Sequence, residues 1–145
     1  MREILFRGKR LSDGKMVYGE SINTQYDAEG KKRVYVGALF SSYIYPLMKC
    51  VEWHEVDPTT VGQYTWLTDK NDKNIFEGDI VRDKDGKVYV VLWSFAGFGL
   101  KYNPLHAHGF YYELVPMLNF WNAHGATIEV IGNIHDNPDL LNKEG

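Results

Sequence analysis

The chain has 145 residues, a net charge of −3 and a single cysteine, Cys50. That length suits one ordinary domain or two small lobes sharing a core. An intrachain disulfide is excluded, and the mild acidity argues against a generic nucleic-acid binder.

The opening MREILFRGKR has only Ile4-Leu5-Phe6 as an apolar run before charge returns, which does not read as a signal peptide. No run approaches the roughly 18 apolar residues that span a bilayer. One cysteine fits a reducing compartment, so the expectation is a soluble, cytoplasmic protein. Lys49 is the only basic neighbour of Cys50, too little to mark a depressed, catalytic thiol.

Alternation and turn punctuation dominate the chain order. Glu3–Gly8 reads as a strand, and Asp13-Gly14 as a turn with Met16-Val17-Tyr18 returning. QYDAEGKKRV reads as a polar loop or hairpin tip. Val34–Phe40 reads as a buried strand whose interior Gly37 marks a bulge or a close backbone approach. Pro46 interrupts the next segment. In CVEWHEVD, Val51, Trp53 and Glu55 point one way and Glu52, His54 and Val56 the other. Asp57-Pro58-Thr59-Thr60 is turn chemistry in which Asp57 caps its own following backbone.

VGQYTWL and NIFEGDIV are strand-like and joined by the polar TDKNDK. EGDIVRDKDGKVYVVLW is the strongest hairpin signal, two β-branched runs around Asp85-Gly86. A two-residue turn there opposes Arg82 to Tyr89 and Ile80 to Val91. Val81, Val88, Val90 and Leu92 then share the core face, and Val90→Asp is expected to unfold the protein. SFAGFGLKYNPLHAHG is loop-like with at most one short strand. FYYELVPMLNFW reads as a strand running into a short helix or turn. Thr127–His135 is a strand interrupted by Gly132, and Asn137-Pro138 starts a one- or two-turn C-terminal helix. No internal repeat is evident.

The architecture these elements predict is mainly β or α+β. An antiparallel sheet lobe over 1–56 packs on a small, strongly bent barrel of the Src-homology type over 57–145. The barrel strands expected are VGQYTWL, DIVRD, VYVVLW, a strand near Phe110–Leu114, and TIEVIGN.

Candidate chemistry is sparse. His106 and His108 share a strand face and suit a metal pair, which His124, His54 and Glu113 could complete, but glycine-flanked loop histidines in solvent are the plainer reading. Glu77, Asp79, Asp83 and Asp85 read as a solvated acidic rim rather than a paired acid/base. AGFGL lacks the ending of a phosphate loop. Tyr43, Tyr45, Trp53, Tyr64 and Trp66, with a second group at Tyr102, Phe110, Tyr111 and Tyr112, suit either core packing or a binding surface. No catalytic, cofactor or metal residue is assigned.

Charge is uneven. Residues 1–50 hold nine Lys/Arg against five Asp/Glu, net +4, and residues 51–145 hold seven against fourteen, net −7. The halves either face each other within one fold or attract a second copy. The basic first lobe, with Lys9, Arg10, Lys31, Lys32 and Arg33, supports an alternative, nucleic-acid accessory reading. A metal-dependent hydrolase around His106 and His108 is the remote third.

Val56–Val81 (VDPTTVGQYTWLTDKNDKNIFEGDIV), Glu129–Leu141 (EVIGNIHDNPDLL) and the opening LFRGKRLSDGKMVYGE resemble the YopX family of phage and prophage proteins. The resemblance runs in order along nearly the whole chain. It implies a mostly β, phage- or prophage-encoded protein of the bacterial cytoplasm and no reaction, since it offers no catalytic residues. Two positions depart from it. Trp66 stands where glycine is expected after QYT, making it a candidate surface anchor, and Asp72 follows Asn71 where Asn-Gly is more frequent. The best reading of the whole is a non-enzymatic binding or assembly protein that self-associates. A host or phage protein partner is admitted, and no membrane is expected.

Overall fold

The computed structural model describes residues 3–41, 49–94, 97–102, 114–116 and 127–141. The mainly β expectation holds. The strands are β1 Phe6–Lys9, β2 Met16–Gly19, β3 Ser21–Tyr26, β4 Lys32–Ser41, β5 Lys49–Val56, β6 Gly62–Thr68, β7 Asn74–Phe76, β8 Asp79–Arg82, β9 Val88–Ser94, β10 Gly97–Tyr102, β11 Leu114–Pro116 and β12 Glu129–Asn133. Strand orders are β2-β1-β6-β7, β3-β4-β5 and β11-β10-β9-β8-β12. One of the sheets curls into a half-barrel. No described helix is long and apolar enough to cross a membrane.

The chain divides into two compact units, Met1–Tyr64 and Thr65–Gly145. β6 gives its first half to one and its second half to the other. Gly62 and Gln63 pair with Arg7 and Phe6 of β1, while the Thr65 hydroxyl donates to the Ile75 carbonyl of β7 at 2.8 Å.

In the first unit Val34, Val36 and Val56 form the buried centre, with Val17 and Val61 against it. The expected turn chemistry is present. Asp57 accepts from the Thr59 N–H at 3.0 Å and starts the 3-10 turn Pro58–Thr60. The Thr60 hydroxyl then accepts from the Lys9 N–H at 2.8 Å and ties that turn to β1. The second unit is built on Ile75, Val81, Tyr89, Val91, Leu100 and Ile128, with Leu67, Phe98 and Val130 packed on them.

One local device recurs three times, in DAEGK, DKNDK and DKDGK, where no repeat was expected. Asp27, Asp69 and Asp83 each donate their N–H to the carbonyl of the lysine four residues on, at 2.9, 2.8 and 3.0 Å. Each carboxylate accepts from the N–H groups of residues i+2 and i+4, at 3.1 and 2.8 Å for Asp27, 2.8 and 2.9 Å for Asp69, and 2.9 Å twice for Asp83. The fourth residue is left-handed, with φ of +80° at Gly30, +61° at Asp72 and +85° at Gly86. This is the three-residue hairpin loop, a turn followed by one left-handed residue.

That loop corrects the expected register. The Asp83 carboxylate closes the hairpin between Asp83 and Lys87, not between Lys84 and Lys87. Ile80 therefore opposes Val90, Val81 opposes Tyr89 and Arg82 opposes Val88. A shift of one residue turns β9 over. Tyr89 and Val91 are buried beside Val81, and Val88, Val90 and Leu92 are only half-buried.

Strand membership also differs from expectation. VGQYTWL does not join the sheet of β8 and β9; β10 takes that place, pairing from Gly97↔Ser94 to Tyr102↔Tyr89. The expected strand near Phe110–Leu114 meets the described residues only at Leu114, where β11 begins. The short C-terminal helix expected from Pro138 is present as one 3-10 turn, Pro138–Leu141. The Asn137 side chain accepts from the Asn133 N–H at 3.2 Å, so it braces β12.

Candidate functional site

The chemistry-bearing candidates do not assemble into a reaction centre in the described residues. His106, His108, His124 and Glu113 lie outside them. His54 is described, and its Nδ1 lies 3.2 Å from Arg10 Nη1. Among the described residues no three His, Cys, Asp or Glu side chains are grouped to hold a metal.

The acidic set is a solvated rim only in part: Asp85 is exposed, whereas Asp79 and Asp83 are buried. Both carboxylates face backbone. Asp79 accepts from the Phe76 N–H at 2.7 Å, across a turn at Gly78 with φ +91°. Asp83, besides its loop, accepts from the Tyr89 hydroxyl at 3.2 Å. Asp69 adds a long-range bond from the Val130 N–H at 2.9 Å. Burial raises the Asp69 carboxyl, and the backbone bonds from Val130, Lys73 and Asn71 more than reverse it, leaving it below the ordinary carboxylate value.

Among the five basic candidates, Arg10 and Arg33 are held in ion pairs. Arg10 grips Asp13 through two bonds, Nε–Oδ1 at 3.0 Å and Nη2–Oδ2 at 2.6 Å, and the guanidinium holds that carboxyl far below its usual range. Arg33 bridges Glu55 at 2.9 Å and Asp27 at 3.3 Å. Lys31 and Lys32 are exposed at the loop before and at the start of β4.

The surface feature with the best-defined geometry is the outer face of β3-β4-β5. Register places Val36 opposite His54 and Val34 opposite Val56, which directs those valines to the buried side. The opposite side carries Tyr35 beside Glu55, Gly37 beside Trp53, and Leu39 beside Val51. Here Leu39 is 45% exposed, Val51 38% and Trp53 46%. Gly37 is what lets the indole lie down, since a methyl there would come within 2.8 Å of Trp53 Cζ3 and of Val51 Cγ1. The close backbone approach expected at Gly37 is made with Gly19, where an added methyl would run into the Gly37 carbonyl. The Arg33–Glu55 ion pair closes one end of the strip.

Of the aromatics singled out in the sequence, Trp53 is on this face, Tyr64 is buried and Trp66 is half-buried. Tyr43, Tyr45, Phe110, Tyr111 and Tyr112 lie outside the described residues. Leu39 was not anticipated as a surface residue. The signal was available in its alternation with Gly37 and Tyr35 once Val34 and Val36 are assigned inward.

The sequence matches the YopX protein family over residues 5–142. The chain belongs to the YopX family. A solved structure similar to this YopX chain is protein EF1440 from Enterococcus faecalis. It is 23% identical, the match covers 95% of this chain and 97% of that one, and the TM-score is 0.53. At that identity the likeness is one of fold. No curated protein matches the sequence.

Both departures from the YopX pattern have a backbone counterpart. Trp66, with φ +71°, and Asp72, with φ +61°, are the two non-glycine residues of positive φ among the described residues. Where glycine was expected, the chain keeps a backbone that favours glycine and installs a side chain on it.

Proposed function

We propose that this YopX chain is a non-enzymatic assembly protein, phage- or prophage-encoded and acting in the bacterial cytoplasm, that self-associates through the outer face of β3-β4-β5. The observation that carries the reading is the exposed strip of Leu39, Val51 and Trp53 on two continuously paired strands. A tryptophan held against a rigid strand offers large contact area with little side-chain freedom to lose. An ion pair at the end of the strip matches the polar rim of protein contacts. A second copy presents the same apolar strip, so two such faces are complementary to each other about a two-fold axis.

Sedimentation velocity of the full chain over a wide concentration range tests this. Association is expected to grow with concentration. The double variant Leu39→Lys with Val51→Glu replaces the apolar pair by an opposite-charge cross-strand pair that the sheet tolerates. It should weaken association by about tenfold or more, which corresponds to about 1.4 kcal/mol, with the thermal midpoint held. A chain that stays monomeric throughout, or a double variant that associates like the wild type, overturns the reading.

A further inference from the structure

We propose a second, independent contact between copies: antiparallel pairing of β3 with β3 of another chain, centred on Thr24. It goes beyond the face contact above by adding an edge contact.

β3 has one strand neighbour, β4, with an unbroken register from Ser21↔Gly37 to Tyr26↔Lys32. Its other edge is open among the described residues. Residues 22–26 are all exposed. Open edges are ordinarily blunted by shortness, charge, proline or a bulge. The other outer strands show such devices: β2 has four residues, β7 and β11 have three each, β12 is bulged between Val130 and Gly132, and the eight-residue β5 carries the charges of Glu52 and Glu55. β3 has six residues, SINTQY, with no charge, no proline and no register break.

The side-chain pattern is self-complementary. Ile22, Thr24 and Tyr26 share one face of the strand, with Ile22 38% and Tyr26 70% exposed. A two-fold axis at Thr24 sets Ile22 of each copy against Tyr26 of the other, and Asn23 against Gln25. Aromatic and β-branched residues are favoured cross-strand partners. Centring on Asn23 would instead set Tyr26 against Glu20, and centring on Gln25 would set Asn23 against Asp27. Thr24 is thus the register that buries both apolar side chains and brings no charged residue against another across the seam. Two isologous contacts on different surfaces, one at the face and one at the edge, generate an open-ended array rather than a closed dimer.

The test uses the full-length Leu39→Lys/Val51→Glu chain, in which the face contact is removed, followed by sedimentation. This chain is expected to form dimers and no larger species. Thr24→Lys added to it sets two lysines against each other at the axis and should weaken the dimer by at least about tenfold. Thr24→Glu should do the same, and mixing the Lys and Glu chains should restore a mixed dimer. As a second readout, Thr24→Cys with Cys50→Ser should form a disulfide between copies when treated with oxidised glutathione, which takes up the two electrons, since facing residues of an antiparallel pair lie about 4.5–5.5 Å apart at Cα. If the face variant is monomeric while the wild type associates, the edge contact is overturned and the face reading stands. A dimer indifferent to Thr24→Lys, or no cross-link at residue 24, also overturns it. A wild-type monomer overturns both.

Discussion

At the scale of single residues, the left-handed positions of the three Asp-x-x-x-Lys loops are the sharpest test of how the backbone is held. A methyl built on Gly86 meets nothing within 4 Å, so Gly86→Ala carries a purely conformational cost. It should lower stability by about 1–2 kcal/mol. Asp72 occupies the equivalent position at φ +61°, and Asp72→Gly should raise stability by up to about 1 kcal/mol. Urea unfolding of the two variants beside the wild type reads both signs. Asp69 supplies a pH dependence. Its folded carboxyl sits below the ordinary value, so the unfolded chain takes up the proton first. The stabilisation is complete above the unfolded value, about 4, and is lost as pH falls through the lower folded value. Asp69→Asn keeps one acceptor oxygen and turns an amide N–H toward a backbone donor. It should cost about 1–3 kcal/mol at neutral pH and flatten the acid limb of stability measured by denaturant titration.

At the scale of elements, the β8–β9 hairpin shows what the sequence made legible and where it stopped. The two runs and their connecting Asp-Gly were readable from residues 79–92. The loop length was not, because Asp85-Gly86 fits a two-residue and a three-residue loop equally well. The deciding group is the Asp83 carboxylate, which gathers the Asp85 and Lys87 N–H groups. The same carboxylate-to-lysine spacing in DAEGK and DKNDK would have revealed the device. β10 was legible only as a loop-like segment with room for one short strand, for a different reason. Gly97 and Gly99 weaken its propensity, and pairing to β9 on one side and β11 on the other overrides it. β3 was missed because SINTQY is polar and mostly exposed, so no apolar alternation marks it. The alternation of Val51, Trp53 and Glu55 was readable, but the outward sense of that face needed the inward packing of Val34, Val36 and Val56. The observed register carries its own prediction. Val91→Asp should abolish the cooperative thermal transition, since Val91 lies in the core of the second unit. Val88→Asp, half-buried opposite exposed Arg82, should leave a transition in place. The reverse outcome in circular-dichroism melts would restore the two-residue turn.

At the scale of the whole molecule, and among the described residues, buried carboxylates serve backbone turns, Arg10, Arg33 and Arg82 are committed to ion pairs, and exposed apolar surface is concentrated on one sheet of the first unit. That distribution suits a protein whose work is contact. The most direct measurement is hydrogen–deuterium exchange of the wild-type chain at low and high concentration. Backbone amides of residues 32–41 and 49–56 should gain protection as concentration rises, while those of β8 and β9 stay unchanged. Equal exchange at both concentrations across β4 and β5, or protection gained only in the second unit, would contradict the account.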